Sequence, residues 1–296
     1  MKILVTGATG FIGRAFCHEA IQRGHQILAL TRDPAVQIVP EVQIAAGSLA
    51  DTPWEQVAAF APDAALHLAW IAEPGVYLNS PENELWLEQS KTWLRRLIEI
   101  GVPYLAGTGT CIEYAPSNEP LHETTSRIEP AFPYSRAKAA LFQWLQHECE
   151  ESAINWNWFR VFYPYGPGEH HHRICSSLIN QLRAGRSLTL RTPDSTKDYI
   201  FIEDAARALC QTIEARLSGA VNVGTGQGVS IKSLATRVAY LLQADASLVQ
   251  QAAQIDHDPS PVVLADNRLL QSIGWKQQIS LDDGLQRLID SFQEAA

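Results

Sequence analysis

The chain has no apolar run approaching the ~18 residues that a membrane-spanning helix needs, so a membrane partner is not expected. It has no disulfide framework either. Its five cysteines, Cys17, Cys111, Cys149, Cys175 and Cys210, are odd in number, scattered, and never in a C-x-x-C pair. That excludes a disulfide scaffold or a cysteine zinc site. An excess of positive charge is missing as well: 23 Lys and Arg stand against 32 Asp and Glu, for a net charge of -9. A general nucleic-acid binder is thereby excluded. Internal repeats, low-complexity tracts and heptad runs are absent. The opening Met-Lys-Ile-Leu-Val-Thr-Gly enters a strand-like run with no leader-type apolar stretch, so a cytoplasmic location is expected.

What remains is an ordinary globular composition, 46% apolar and 19% charged over 296 residues, enough to bury a large core. The first half alternates between strand and helix patterns. Strands are expected at Lys2–Thr6, Gln26–Thr31, Ala64–Ala69, Pro103–Gly107 and Asn157–Phe162. Helices are expected at Arg14–Arg23, Trp86–Ile100 and Ser135–Glu151. Repeated βα units of this kind imply an α/β fold, a doubly wound parallel sheet of Rossmann type. The turn-rich Tyr163-Pro-Tyr-Gly-Pro-Gly168 then breaks the rhythm. Later helices are expected at Ile174–Ala184, Ile202–Leu217, Ile231–Leu242, Asn267–Ile273 and Leu281–Gln293, with a strand at Ala220–Val223. We read residues 1–163, with a returning segment at about 198–225, as a dinucleotide-binding domain. Residues 164–197 and 226–296 form a smaller C-terminal α+β substrate lobe in this reading.

Between the first strand and first helix lies Gly7-Ala8-Thr9-Gly10-Phe11-Ile12-Gly13. Glycines let a backbone approach a pyrophosphate, and a helix N-terminus offers it free N–H groups. The second strand ends at Thr31-Arg32-Asp33. With Thr31 at the strand end and Arg32 next, the pattern suits the 2′-phosphate of NADP(H) better than the ribose of NAD(H), which calls for an acid there. A slip of one residue would give Asp33 that role.

Tyr134-Ser-Arg-Ala-Lys138 places a tyrosine and a lysine one helical turn apart. An ammonium beside a phenol favours the phenolate, so the pair can exchange a proton with an alcohol or carbonyl. Upstream stands Gly107-Thr-Gly-Thr-Cys-Ile-Glu-Tyr114. This stretch resembles the S-S-S-x-x-V-Y-G segment of the extended short-chain dehydrogenases/reductases, the nucleotide-sugar epimerase/dehydratase family. The likeness runs over nearly the whole chain: His67-Leu68-Ala69, Arg160–Pro167, Lys197–Asp204, Asn222–Gly226, Ala265-Asp266 and Gly274-Trp275 all match family segments.

The resemblance implies an NAD(P)-dependent enzyme in which Thr110, Tyr134 and Lys138 carry the chemistry. It implies that His67, Leu68, Ala69 and Phe162 border the cofactor with the glycine loop. It puts Arg173 and Lys197 where relatives contact the substrate's diphosphate, with Cys111 and Trp70 as further substrate contacts. Water elimination in the family's 4,6-dehydratases uses an Asp and a Glu after the Thr; Cys111 and Ile112 stand there and cannot serve. The expected function is an NADP(H)-dependent reduction of a keto group on a nucleotide-linked sugar or deoxysugar. The alternatives are a nucleotide-sugar epimerase and a non-catalytic NADP(H)-sensing regulator, and a homodimer is expected by resemblance. No metal is expected, because consecutive residues such as His170-His171-His172 do not easily face one ion. Trp86 and Trp93 are expected to pack in the interior.

Overall fold

The computed structural model describes residues 1–294. Its first half reads β1 (Lys2–Thr6), α1 (Phe11–Gln22), β2 (Gln26–Thr31), β3 (Gln43–Ala46), α2 (Trp54–Phe60), β4 (Ala64–His67), α3 (Glu82–Glu99), β5 (Tyr104–Thr110), α4 (Pro133–Glu151) and β6 (Asn155–Val161). There follow β7 (Tyr163–Tyr165), α5 (Ile174–Arg183), β8 (Leu188–Leu190), β9 (Thr196–Phe201), α6 (Ile202–Glu214) and β10 (Gly219–Val223). The last elements are β11 (Gly228–Ser230), α7 (Ile231–Leu241), β12 (Val249–Gln251), β13 (Val262–Val263), α8 (Arg268–Ser272) and α9 (Leu281–Glu294).

Seven strands form one sheet in the order β10-β6-β5-β4-β1-β2-β3, every pair parallel. The inner strands are buried along nearly their whole length, as a parallel sheet covered on both faces requires. Phe16, Cys17 and Leu209 from α1 and α6 pack on one face. Trp93, Leu94 and Leu145 from α3 and α4 pack on the other. The strand order reverses between β1 and β4, so a crevice opens at their carboxyl ends.

A smaller sheet, β11-β9-β13 with β7 on β9, and a two-stranded piece, β12-β8, make the second layer. Its apolar filling comes from α5, α7 and α9. Within the returning stretch the chain is shared between the sheets: β10 joins the large one and β9 the small one. Leu270 and Trp275 return to the large-sheet core, where the Trp275 indole N–H donates to the Asp204 carbonyl at 3.1 Å.

In the first half, two elements lie outside the sequence expectations. β3 has four residues at the sheet edge, and α2 has seven, too short to print a period. α3 also begins at Glu82 rather than Trp86. Its first turn carries Glu82 and Glu84, which suit the positive helix end but break the apolar stripe. Among the described residues, no helix is long and apolar enough to cross a membrane.

Candidate active site

A cleft of about 350 Å³ opens at the switch point. β1 runs into Gly7, whose φ of +69° is left-handed. A Cβ on Gly7 would stand 2.7 Å from the Ala69 nitrogen, and one on Gly13 would overlap the Gly7 carbonyl. Both positions therefore need glycine. Gly10 precedes α1 and gives it no side-chain cap, so the first-turn N–H groups are left to an outside acceptor. Gly7, Thr9, Gly10, Phe11, Ile12 and Gly13 all line the cleft, as do Leu68 and Ala69. A backbone cradle that no Cβ could share fits the pyrophosphate of a nicotinamide dinucleotide.

Thr31 and Arg32 line the far end of the same cleft. The Asp33 carboxylate is taken up locally, accepting the Ala35 N–H at 2.9 Å. No described residue accepts a hydrogen bond or forms an ion pair with Arg32.

Another wall of the cleft is built on the first turns of α4. Pro133 opens the helix, and the Tyr134 N–H donates to the Leu78 carbonyl at 3.1 Å. Tyr134 and Lys138 both line the cleft. Lys138 is only 2% exposed. Its Nζ lies 3.9 Å from the centre of the Trp70 ring, a cation–π contact. The Tyr77 ring meets the Tyr134 ring edge-on at 4.8 Å.

Burial pushes the Lys138 ammonium down to about 7. Burial, with Tyr77, Glu113 and Cys111 nearby, pushes the Tyr134 phenol well above its ordinary value, against a smaller opposing pull from Arg173. The expectation that the lysine would favour the phenolate is not met: removal from water dominates at the phenol, and the opposing pull comes from Arg173.

Thr110 ends β5, beside Gly109 of the cleft wall. Its hydroxyl accepts the Ile112 N–H at 3.4 Å, and its own N–H donates to Glu113 Oε1 at 2.9 Å. Glu113 is fully buried. Arg160 Nε donates to its Oε2 at 2.8 Å, and Trp158 Nε1 reaches both oxygens at 3.2 and 3.3 Å. A Cβ on Gly109 would overlap Glu113 Oε1. Arg160 continues to the Tyr114 hydroxyl at 3.1 Å, and Tyr114 to Asn222 Oδ1 at 2.8 Å. Sequence reasoning passed over Glu113. The available signal was a charge at the position where the resembling segment has valine.

Several expected site residues stand elsewhere. His67 is buried beneath the cleft: Nδ1 lies 2.8 Å from Thr6 Oγ1, and Nε2 lies 2.8 Å from Ser90 Oγ. Ser90 donates to the Trp86 carbonyl at 2.6 Å, which makes Nε2 the protonated nitrogen. Burial pushes His67 down to about 3. Its work is indirect, because Thr6 Oγ1 also accepts the Ala69 N–H at 3.2 Å. Phe162 and Cys111 pack with Tyr114 and Leu121 in a small core, and burial pushes the Cys111 thiol up to about 12. Lys197 is committed to Asp258 at 3.0 Å and to the Ser260 carbonyl. None of these four lines the cleft. Trp70 does, and so does Trp86, against expectation; Trp93 is interior.

Arg173 sits at a junction. It lines the cleft and also a second cavity of about 270 Å³, walled by Tyr77, Tyr163, Tyr165 and Tyr199. Its guanidinium donates to the Pro164 carbonyl at 3.0 Å. Glu169, also on this wall, accepts the Ser176 N–H at 2.8 Å. Between them His170, His171 and His172 are exposed, and their ring nitrogens lie within 4.8 Å of one another. Neighbours in sequence do converge here, contrary to expectation, because the turn before α5 stacks the His170 and His171 rings at 4.3 Å.

A family model described as the NAD dependent epimerase/dehydratase family matches residues 3–224, and the chain belongs to that family. CDP-abequose synthase of Salmonella typhimurium is 20% identical, the match covering 97% of each chain. dTDP-4-dehydro-6-deoxyglucose reductase of Escherichia coli is 22% identical over 98% of this chain and 97% of the relative. Among solved structures, the NAD complex of Thermus thermophilus UDP-glucose 4-epimerase superposes with a TM-score of 0.86 at 24% identity, covering all of both chains.

Proposed function

We propose that the protein is an NADP(H)-dependent oxidoreductase that reduces a keto group on a nucleotide-linked sugar. One observation carries the reading: the glycine loop, Arg32, Tyr134 and Lys138 line a single cleft that Arg173 joins to a second cavity. Gly7–Gly13 and the first turn of α1 would hold the cofactor's pyrophosphate. Arg32, with no protein partner among the described residues, would hold a 2′-phosphate. When bound, the cofactor supplies the hydride.

The chain's own groups do the rest. Burial keeps Tyr134 protonated at neutral pH, which suits a group that gives a proton to the substrate oxygen. Lys138, titrating near neutrality, is placed one turn away to restore that proton. The Thr110 hydroxyl, which accepts from Ile112, would turn its hydrogen to the same oxygen and orient it. Arg173 is the cation placed to meet a diphosphate. The names of the two curated relatives, a CDP-sugar synthase and a dTDP-sugar reductase, support this substrate class.

Fluorescence titration tests the cofactor. NADPH is expected to bind more tightly than NADH, and Arg32→Ala to erode the difference; equal affinities in the wild type would refute the preference. Inhibition by UDP, GDP, CDP and dTDP tests the substrate class. If none competes at millimolar concentration, the nucleotide-sugar reading falls.

A further inference from the structure

The segment between β4 and α3 is tied to the reacting helix at three places. Trp70 lays its ring on the Lys138 ammonium at 3.9 Å. The Leu78 carbonyl accepts the Tyr134 N–H at 3.1 Å. Tyr77 meets the Tyr134 ring edge-on at 4.8 Å. No regular secondary structure holds this strap together from Leu68 to Pro81. Backbone turn bonds to the Glu73 carbonyl shape its middle, and one side chain ties its two ends together.

Asn83, in the first turn of α3, is fully buried. Its Oδ1 accepts the Trp70 indole N–H at 2.8 Å, and its Nδ2 donates to the carbonyls of Tyr77 at 2.7 Å and Ser80 at 2.8 Å. Both amide hydrogens and the amide oxygen are used. An aspartate would turn a carboxylate toward two carbonyl oxygens, and an alanine would leave one buried N–H and two carbonyls without this partner. Asparagine alone matches one donor and two acceptors at this reach.

We propose that Asn83 is a positioning residue for the Tyr134–Lys138 pair. It locks Trp70 and Tyr77 against α4, so that the ammonium sits under an aromatic face that covers it on one side and turns to the cleft on the other. This rests on the reading of Tyr134 and Lys138 as the reacting pair. Lys138 is almost wholly buried, and no described residue accepts a hydrogen bond from its Nζ. The Trp70 face therefore covers part of the ammonium and offers it a weaker contact than the water it excludes. The other titratable groups acting around the lysine are Tyr134 on its own helix, Glu113 at the end of β5 and His67 on β4. None of these touches Asn83.

The test follows the Lys138 side chain by NMR in full-length protein carrying ε-¹³C-lysine, with the signal assigned by Lys138→Met. In the wild type it titrates well below an ordinary lysine. In Asn83→Ala the strap loosens and water reaches the ammonium, so the midpoint moves up by at least about 1 pH unit. Asn83→Ser keeps one donor and serves if the alanine variant does not fold; it is expected to move the midpoint in the same direction by a smaller amount. A midpoint within about 0.3 pH units of wild type in a folded Asn83 variant overturns the proposal, even if its melting temperature falls. Turnover by Tyr134→Phe separates the two readings. Unchanged turnover there sinks the chemical role of the pair, whereas the lysine titration judges Asn83 alone.

Discussion

The cleft takes its shape from backbone. Gly7, Gly10 and Gly13 lie within seven consecutive residues, and the features that suit a pyrophosphate are a left-handed φ, two close approaches and an uncapped helix. The cavity beside it takes its shape from side chains. Tyr77, Tyr163, Glu169, Arg173 and Tyr199 reach it from three separate stretches of the chain. The two regions meet at Pro164 and Arg173. A backbone site is selective for what every cofactor of the class shares. A side-chain site carries what distinguishes one substrate from another, and single substitutions can remake it.

The largest expected effect lies beneath both regions. Glu113→Ala removes one half of a buried ion pair and leaves Arg160 uncompensated, so a loss of about 3–5 kcal/mol in unfolding free energy is expected. Urea denaturation measures it. A loss under about 1 kcal/mol would mean that the floor of the cleft does not depend on this pair.

Tyr134→Phe strikes on the cleft side, against the Tyr77 wall of the cavity. It should lower kcat by about 10²-fold or more while NADPH affinity stays within a factor of about two, a difference within the usual context dependence of one contact. Equal losses in both would make Tyr134 part of the cofactor cradle instead.

Arg173→Ala sharpens the boundary further. It should cost on the order of 1.5–3 kcal/mol in kcat/KM for a nucleotide sugar, as expected for one charged hydrogen bond, with NADPH binding unaltered. A fall in NADPH affinity alone would assign Arg173 to the cleft.

A last effect, confined to acid, concerns His67, held neutral under the glycine loop. Its pKa is depressed to about 3 from the ordinary 6.5, so the unfolded chain takes up a proton that the folded chain refuses. The stability this confers is complete above about pH 6.5 and is lost toward pH 3, by up to about 1.4 kcal/mol per pH unit. His67→Gln should flatten that slope in denaturation curves. An unchanged slope would place the acid sensitivity elsewhere.

Much of the large-sheet half was legible in the chain. β1 and β2 fall at the expected residues, and the glycine loop falls between strand and helix, because apolar runs and glycine spacing are local signals. That Tyr134 and Lys138 share one helix was legible in their spacing, while the role expected of the pair came from the resemblance. β3 and α2 were not, being too short for periodicity. His67 and Lys197 were placed wrongly for a shared reason. A polar residue at a strand end reads the same whether it faces a ligand or is satisfied from below, and the partners that decide, Ser90 for one and Asp258 for the other, lie 23 and 61 residues away.

The sequence by itself determined the strand–loop–helix cradle, the βα alternation and the turn that puts Tyr134 above Lys138. Each rests on backbone geometry or on spacing within a few residues. Only the tertiary structure decided that burial holds the Tyr134 proton, that Glu113 and Arg160 brace Thr110, and that Asn83 fastens a strap across the reacting helix. Those outcomes depend on which groups are removed from water together, and that is settled by the packing of segments far apart in the chain.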